Sequence, residues 1–161
     1  MSRKKDGLTW VLILGVLLLV GTASFYVLWP QLQPHATIHL GDGVFTAKVA
    51  KAPEERAKGL GGTHSLGDDQ ALLLVYTTDG KWPVSMKDMT YPIDIVWLDK
   101  DKKVVYIVKN VPPESYPYEQ FEPKNEARYV VELAEGVVGQ KKITIGATAL
   151  FDENNLEGIK L

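Results

Sequence analysis

A run without charge constrains this chain more than any other feature. From Leu8 to Trp29 the segment LTWVLILGVLLLVGTASFYVLW contains 22 consecutive uncharged residues. As a helix rising ~1.5 Å per residue it would span roughly 33 Å, enough for the hydrocarbon core of a bilayer. Arg3, Lys4 and Lys5 precede it with only Asp6 as counter-charge, and the positive-inside rule keeps such a cluster in the cytoplasm. Trp10, Tyr26 and Trp29 suit the two membrane interfaces. A cleaved signal peptide is the alternative, since GTAS supplies small residues after the apolar stretch. The apolar run nevertheless continues through Phe25 to Trp29, where a signal peptide would have stopped. The sequence therefore predicts a cytoplasmic N-terminus over residues 1–7, a retained single-span anchor over 8–29, and an extracytoplasmic remainder. The expected localisation is the cell membrane. The chain has no cysteine, which excludes a lipobox anchor along with disulfide, zinc–thiolate, iron–sulfur and thiol-nucleophile chemistry.

Pro30 and Pro34 make residues 30–35 a short, stiff linker, because proline fixes φ and restrains the residue before it. A domain over 36–152 and a tail over 153–161 follow. The chain is 45% hydrophobic and 24% charged, a globular rather than a disordered balance. Residues 31–161 carry 15 basic and 19 acidic groups, so the domain lacks the basic footprint of a nucleic-acid binder.

The domain's pattern is one of short β segments. ATIHL and VFTAKVA flank Gly41-Asp42-Gly43, a hairpin signal. PEERAKGL predicts a helix of about two turns, with Pro53 at its first position, Glu54 and Glu55 near its positive end and Gly59 as its stop. ALLLVY is apolar without alternation, as in a strand buried on both faces. IDIVWLD and KVVYIVKNV, joined by Lys100-Asp101-Lys102, form a second predicted hairpin. A proline-rich aromatic loop, VPPESYPYEQFEPKNE, cannot pair in a central strand. RYVVELA, a turn around Glu135 to Gly139, KITIG and ATALF complete the pattern. Many short strands with one short helix predict a mainly β domain, a single β-sandwich or barrel-like unit.

Five blocks in this order carry a resemblance: APEERAKGLGG, SLGDDQALLLVY, MKDMTYPIDIVWLDKDKKVVYI, ARYVVELAEG and the late Gly146. Over about residues 44–151 the chain resembles the domain of unknown function, family 192. The resemblance implies a compact β-sandwich or barrel-like domain, often exported or membrane-anchored, with no assigned activity. Its pattern is matched at Arg56, Gly59, Leu60 and Leu66, at Met86, Lys87, Pro92 and Asp94, and at Pro112, Tyr129, Glu132 and Gly136. It is departed from at Gly61, where the family has methionine, and at Thr63, where it has arginine. Further departures are Ser85, Asp88-Met89 and Ala147.

The polar candidates lie in apolar surroundings. Period two places Asp94 on one face of its strand with Val96 and Leu98, opposite Ile93, Ile95 and Trp97. With both faces apolar, Asp94 is expected to be buried, and a buried carboxylate needs a partner or a shifted pKa. Arg56, Lys87 or backbone N–H groups of the preceding MTYP turn are candidate donors, while contact with a ligand and acid/base work stay open. Glu132 in YVVELA repeats the pattern, with Arg56 or Arg128 as the expected ion-pair partner. Arg56, Lys87, Asp94 and Glu132 are therefore a candidate binding or structural cluster. Tyr116, Tyr118 and Phe121, set among prolines and glutamates, make a candidate recognition loop for a protein or a sugar ring, or else fold back over the sheet. His35, His39 and His64 match no zinc spacing, and no motif calls for a metal or a cofactor.

Two functions follow as expectations. One is a non-enzymatic, membrane-tethered binding or assembly module of the cell envelope, engaging an envelope protein or polysaccharide. The other is an envelope hydrolase acting on polysaccharide with Asp94 and Glu132 as its carboxylate pair.

Overall fold

The structure, a computed structural model, describes residues 10–20, Thr22, residues 35–152 and Leu156. The chain divides into two units, Met1–Gln33 and Pro34–Leu161. In the first, residues 10–20 are helical. The rest of the expected anchor over 8–29, except Thr22, and the linker as far as residue 34 lie outside the described residues. Among the described residues no helix is long and apolar enough to cross a membrane.

The second unit is mainly β. Its strands are β1 (His35–Leu40), β2 (Gly43–Ala50), β3 (Gln70–Gly80), β4 (Ile93–Leu98), β5 (Val104–Val111) and β6 (Ala127–Ala134). Among the described residues there are also two short helices, α1 (Pro53–Lys58) between β2 and β3 and α2 (Val137–Gln140) after β6, along with a 3-10 turn at Pro113–Ser115 between β5 and β6. All six strands form one sheet in the order β1-β2-β3-β6-β4-β5. The pairing is antiparallel except between β2 and β3, which run parallel because α1 and the loop after it carry the chain back across the sheet.

Both expected hairpins form, β1–β2 and β4–β5. The helix at PEERAK forms as expected, its start held by the Glu55 carboxylate, which accepts from the backbone N–H groups of Lys51 and Ala52. KITIG and ATALF, expected as strands, are not strands. That segment wraps across the sheet, contributing single bridges from Thr148 to Lys103 and from Leu150 to His39. Lys142 and Gly146 take positive φ there, which a continuous strand cannot accommodate. The segment thereby ties the β1 edge to the start of β5. The turn expected around Glu135 to Gly139 is partly helix α2, entered through a left-handed Gly136. In the expected tail over 153–161, only Leu156 is described, and it is buried in the core.

Each sheet face carries its own apolar cluster. Ile38, Phe45, Leu73, Val96, Leu98, Val131 and Leu133 lie in one, and Leu72, Leu74, Ile95, Trp97 and Val130 in the other. Period two deals successive side chains to opposite faces, so β4 and nearly all of β6 are buried throughout. Among the described residues two charged side chains are buried within this sheet, Asp94 and Glu132.

Candidate functional site

The pairing of β4 with β6 decides how these two carboxylates relate. Asp94 stands opposite Leu133, and Ile95 opposite Glu132. Residues paired across an antiparallel ladder share a face. Asp94 therefore points into the cluster of Val96 and Leu133, and Glu132 into the cluster of Ile95 and Trp97, on the other side of the sheet. A two-carboxylate cleft built from Asp94 and Glu132 does not form.

Asp94 is fully buried and held by backbone. One carboxylate oxygen accepts from the Asn110 N–H at 2.8 Å and the other from the Val138 N–H at 2.9 Å. Neither Arg56, Lys87 nor the MTYP turn supplies these donors, contrary to the expectation. Asn110 lies at an irregularity of the β4–β5 ladder with positive φ, and Val138 lies in the first turn of α2. Asp94 thus ties a bulged edge strand and a short helix to the sheet. This is why so apolar a strand carries a charge.

Glu132 is different. It lies on β6, between β3 and β4, with Leu72 and Ile95 as cross-strand neighbours, and is 3% exposed. The expected ion pair with Arg56 or Arg128 does not form. Arg128 bonds Asp79 at 2.7 Å. Arg56 donates to the carbonyls of Lys51 and Val75 and lies over the Tyr76 ring, 4.7 Å from its centroid. Tyr76 in turn stacks on Trp82 at 4.1 Å. Glu132 instead receives the Leu60 backbone N–H. Burial pushes its carboxyl up from 4.5 to about 7, with the Leu60 N–H working in the opposite direction. The phenols of Tyr76 and Tyr91 are also raised, by burial first, and the nearby Glu132 charge adds to both.

The loop after α1 brings Leu60 to this position. Gly59 turns with φ 53° and ψ −134°, a conformation that glycine alone adopts readily. Its missing side chain leaves backbone close to the carboxylate, since a Cβ there would lie 3.5 Å from Glu132 Oε1. Gly61 has no room for a side chain. A Cβ would meet the Lys58 carbonyl oxygen at 2.8 Å and that of Lys87 at 3.0 Å. The Gly62 N–H donates to the Asp88 carbonyl, and the Thr63 hydroxyl meets the Tyr91 hydroxyl at 2.6 Å, which fastens this loop to the turn around residues 86–91.

Between these two loops and the sheet lies a cavity of about 240 Å³. Glu132, Leu74 and Ile93 line it from the strands, Arg56 and Lys58 from α1, and Lys87 and Met89 from the opposing turn. Of the four residues in the expected polar cluster, the structure brings Arg56, Lys87 and Glu132 to this cavity and places Asp94 on the other face. In the sequence Gly59 stands out as the stop of α1, and Gly59 and Leu60 as matches to the family pattern, but neither as a site residue; Tyr76 and Tyr91 do not stand out there at all.

The aromatic loop divides in two. Phe121 is half-buried against the Trp97 cluster and exchanges both backbone hydrogen bonds with Val84, itself a wall residue of the cavity. Tyr116 and Tyr118 are 42% and 87% exposed. The loop therefore hangs from the cavity wall with its two tyrosines outward. Among the described residues no group of three or more histidines and carboxylates is placed to hold a metal ion.

Two solved structures are similar. A candidate transcription regulator from Sinorhizobium meliloti 1021 superposes with a TM-score of 0.70 at 20% identity, covering 74% of this chain and 95% of its own. A protein of unknown function from Novosphingobium aromaticivorans DSM 12444 gives 0.66 at 23% identity, covering 72% and 83%. At these identities the likeness is one of fold alone. No curated protein matches the chain. The profile of the DUF192 family, described as Uncharacterized ACR, matches residues 36–151, taking in α1, Gly59, both buried carboxylates and the aromatic loop; the chain belongs to that family.

Proposed function

We propose that this protein is a membrane-tethered, extracytoplasmic binding module of the cell envelope, with the cavity floored by Glu132 as its site. One observation carries the proposal. Glu132 is a carboxyl withdrawn from solvent, with no ion pair among the described residues, at the floor of an open cavity. A carboxyl that only filled the core would be replaceable by an apolar residue, whereas one facing a cavity can hydrogen-bond an occupant. The uncharged run over 8–29 supports the tether. Tyr116 and Tyr118, hung beside the cavity, offer surface to an envelope protein or polysaccharide.

Amide NMR of the full chain tests the site. Titration with a water-soluble small-molecule extract of the envelope is expected to perturb Gly59–Gly61, Lys87 and Met89. Perturbations confined to other surfaces, or none at all, would refute it. The chain's lack of cysteine makes Tyr118→Cys a clean topology probe. A membrane-impermeant maleimide is expected to label it in unbroken cells; labelling only after lysis refutes the extracytoplasmic placement.

A further inference from the structure

The charges around the cavity narrow its occupant, an inference that rests on the cavity being the binding site. At the floor, Glu132 takes part in no ion pair among the described residues. A carboxylate in that position calls for a cationic donor or a proton. Arg56 lines the same cavity, but its guanidinium is engaged by the carbonyls of Lys51 and Val75 and by the Tyr76 ring. The rim has the opposite sign. Lys58 and Lys87 both line the cavity, both are exposed, and neither forms an ion pair among the described residues.

A simple cation would have to pass two ammonium groups to reach the floor, and a simple anion would meet a carboxylate once inside. A molecule with an ammonium at one end and a carboxylate at the other meets neither obstacle. The Gly59 and Gly61 N–H groups are not free for an anion, because they already donate to the carbonyls of Glu55 and Lys58. Leu60, Leu74, Met89 and Ile93 supply apolar wall for a short aliphatic part. The volume of about 240 Å³ lies below the roughly 300–1,000 Å³ of sites for drug-sized molecules, so the occupant is small.

We propose that the cavity takes a small zwitterion of the amino-acid class, its ammonium on the Glu132 carboxylate and its carboxylate on Lys58 and Lys87. A free amino acid and the terminus of an envelope peptide share this chemistry.

The test titrates the full chain, labelled with carbon-13 at glutamate, with alanine, dialanine, methylammonium, acetate and glucose at neutral pH. Alanine or dialanine is expected to saturate, moving the Glu132 carboxyl signal towards its ionised form together with the amides of Gly59–Gly61. Preference for alanine assigns a free amino acid, and preference for dialanine a peptide terminus. Glu132→Gln, which keeps the shape and removes the charge, is expected to bind at least about tenfold more weakly. Should that variant fail to fold, Lys58→Ala with Lys87→Ala provides the same test through the other end of the ligand. Equal binding of alanine to the Glu132→Gln variant and the parent overturns the proposal. Acetate or glucose binding at these amides without alanine also overturns it, while leaving the cavity as a binding site. No response to any of the five probes overturns the zwitterion, and the envelope-extract titration then decides the cavity separately.

Discussion

Removing the charge of Glu132 should change how the stability of this protein depends on pH. Its carboxyl is raised from 4.5 to about 7 because burial against Leu72, Ile95 and the Leu60 loop penalises the ionised form more than the Leu60 N–H relieves it. Between those two pH values the folded state holds a proton that the unfolded chain has released. Stability must then fall as pH rises. The contribution is fully present below pH 4.5 and lost as pH climbs through about 7. At ~1.36 kcal/mol per pKa unit the rise amounts to about 3 kcal/mol. Arg56, Lys58 and Lys87, which line the same cavity, and the phenols of Tyr76 and Tyr91 are the other ionisable groups around it. None of them is removed by Glu132→Gln, so the variant isolates the glutamate. Urea unfolding followed by tryptophan fluorescence, at fixed ionic strength from pH 4 to 8.5, should show the stability of the parent relative to the variant falling by about 3 kcal/mol across the range. The variant should be the more stable protein at pH 8. Parallel pH profiles for the two proteins would refute the claim that Glu132 is buried without a counter-ion.

Asp94→Ala should cost about 3–5 kcal/mol in thermal unfolding, because the N–H groups of Asn110 and Val138 lose their acceptor. A loss below about 1 kcal/mol would mean that the carboxylate does not hold β5 and α2 to the sheet. Gly61→Ala forces a Cβ to 2.8 Å from a backbone oxygen and should lower stability by about 1–3 kcal/mol, read from the urea midpoint; an unchanged midpoint would show that the loop gives way freely. Tyr118→Ala, at an 87% exposed position, should stay within about 0.5 kcal/mol of the parent, whereas Phe121→Ala should lose at least about 2 kcal/mol. Equal effects from these two would contradict the division of the aromatic loop.

Local structure was largely legible from the residues. The Gly41-Asp42-Gly43 turn marked the first hairpin and the charged Lys100-Asp101-Lys102 turn the second, and Pro53 with Glu55 marked the start of α1. Period two correctly placed Asp94 with Val96 and Leu98. Misreadings arose where a pattern had more than one physical solution. KITIG has the composition of a strand, yet it follows a helix whose exit sends the chain across the sheet, so Ile143 is buried while Ile145 stays exposed. Arg56 and Arg128 were plausible partners for Glu132 by charge alone. Backbone carbonyls and Asp79 hold them instead.

What the sequence determined by itself was its family, a mainly β domain and the burial of two carboxylates, because periodicity and turn chemistry act over a few residues. Only the tertiary structure decided what those carboxylates do. Each lay on an apolar face of its own strand, and nothing in either strand says which face of the common sheet that is. The insertion of β6 between β3 and β4, in the register that sets Ile95 opposite Glu132, turned one carboxylate towards backbone donors and the other towards a cavity. Strand order and register are settled by burial summed over residues far apart in sequence, which no local pattern records.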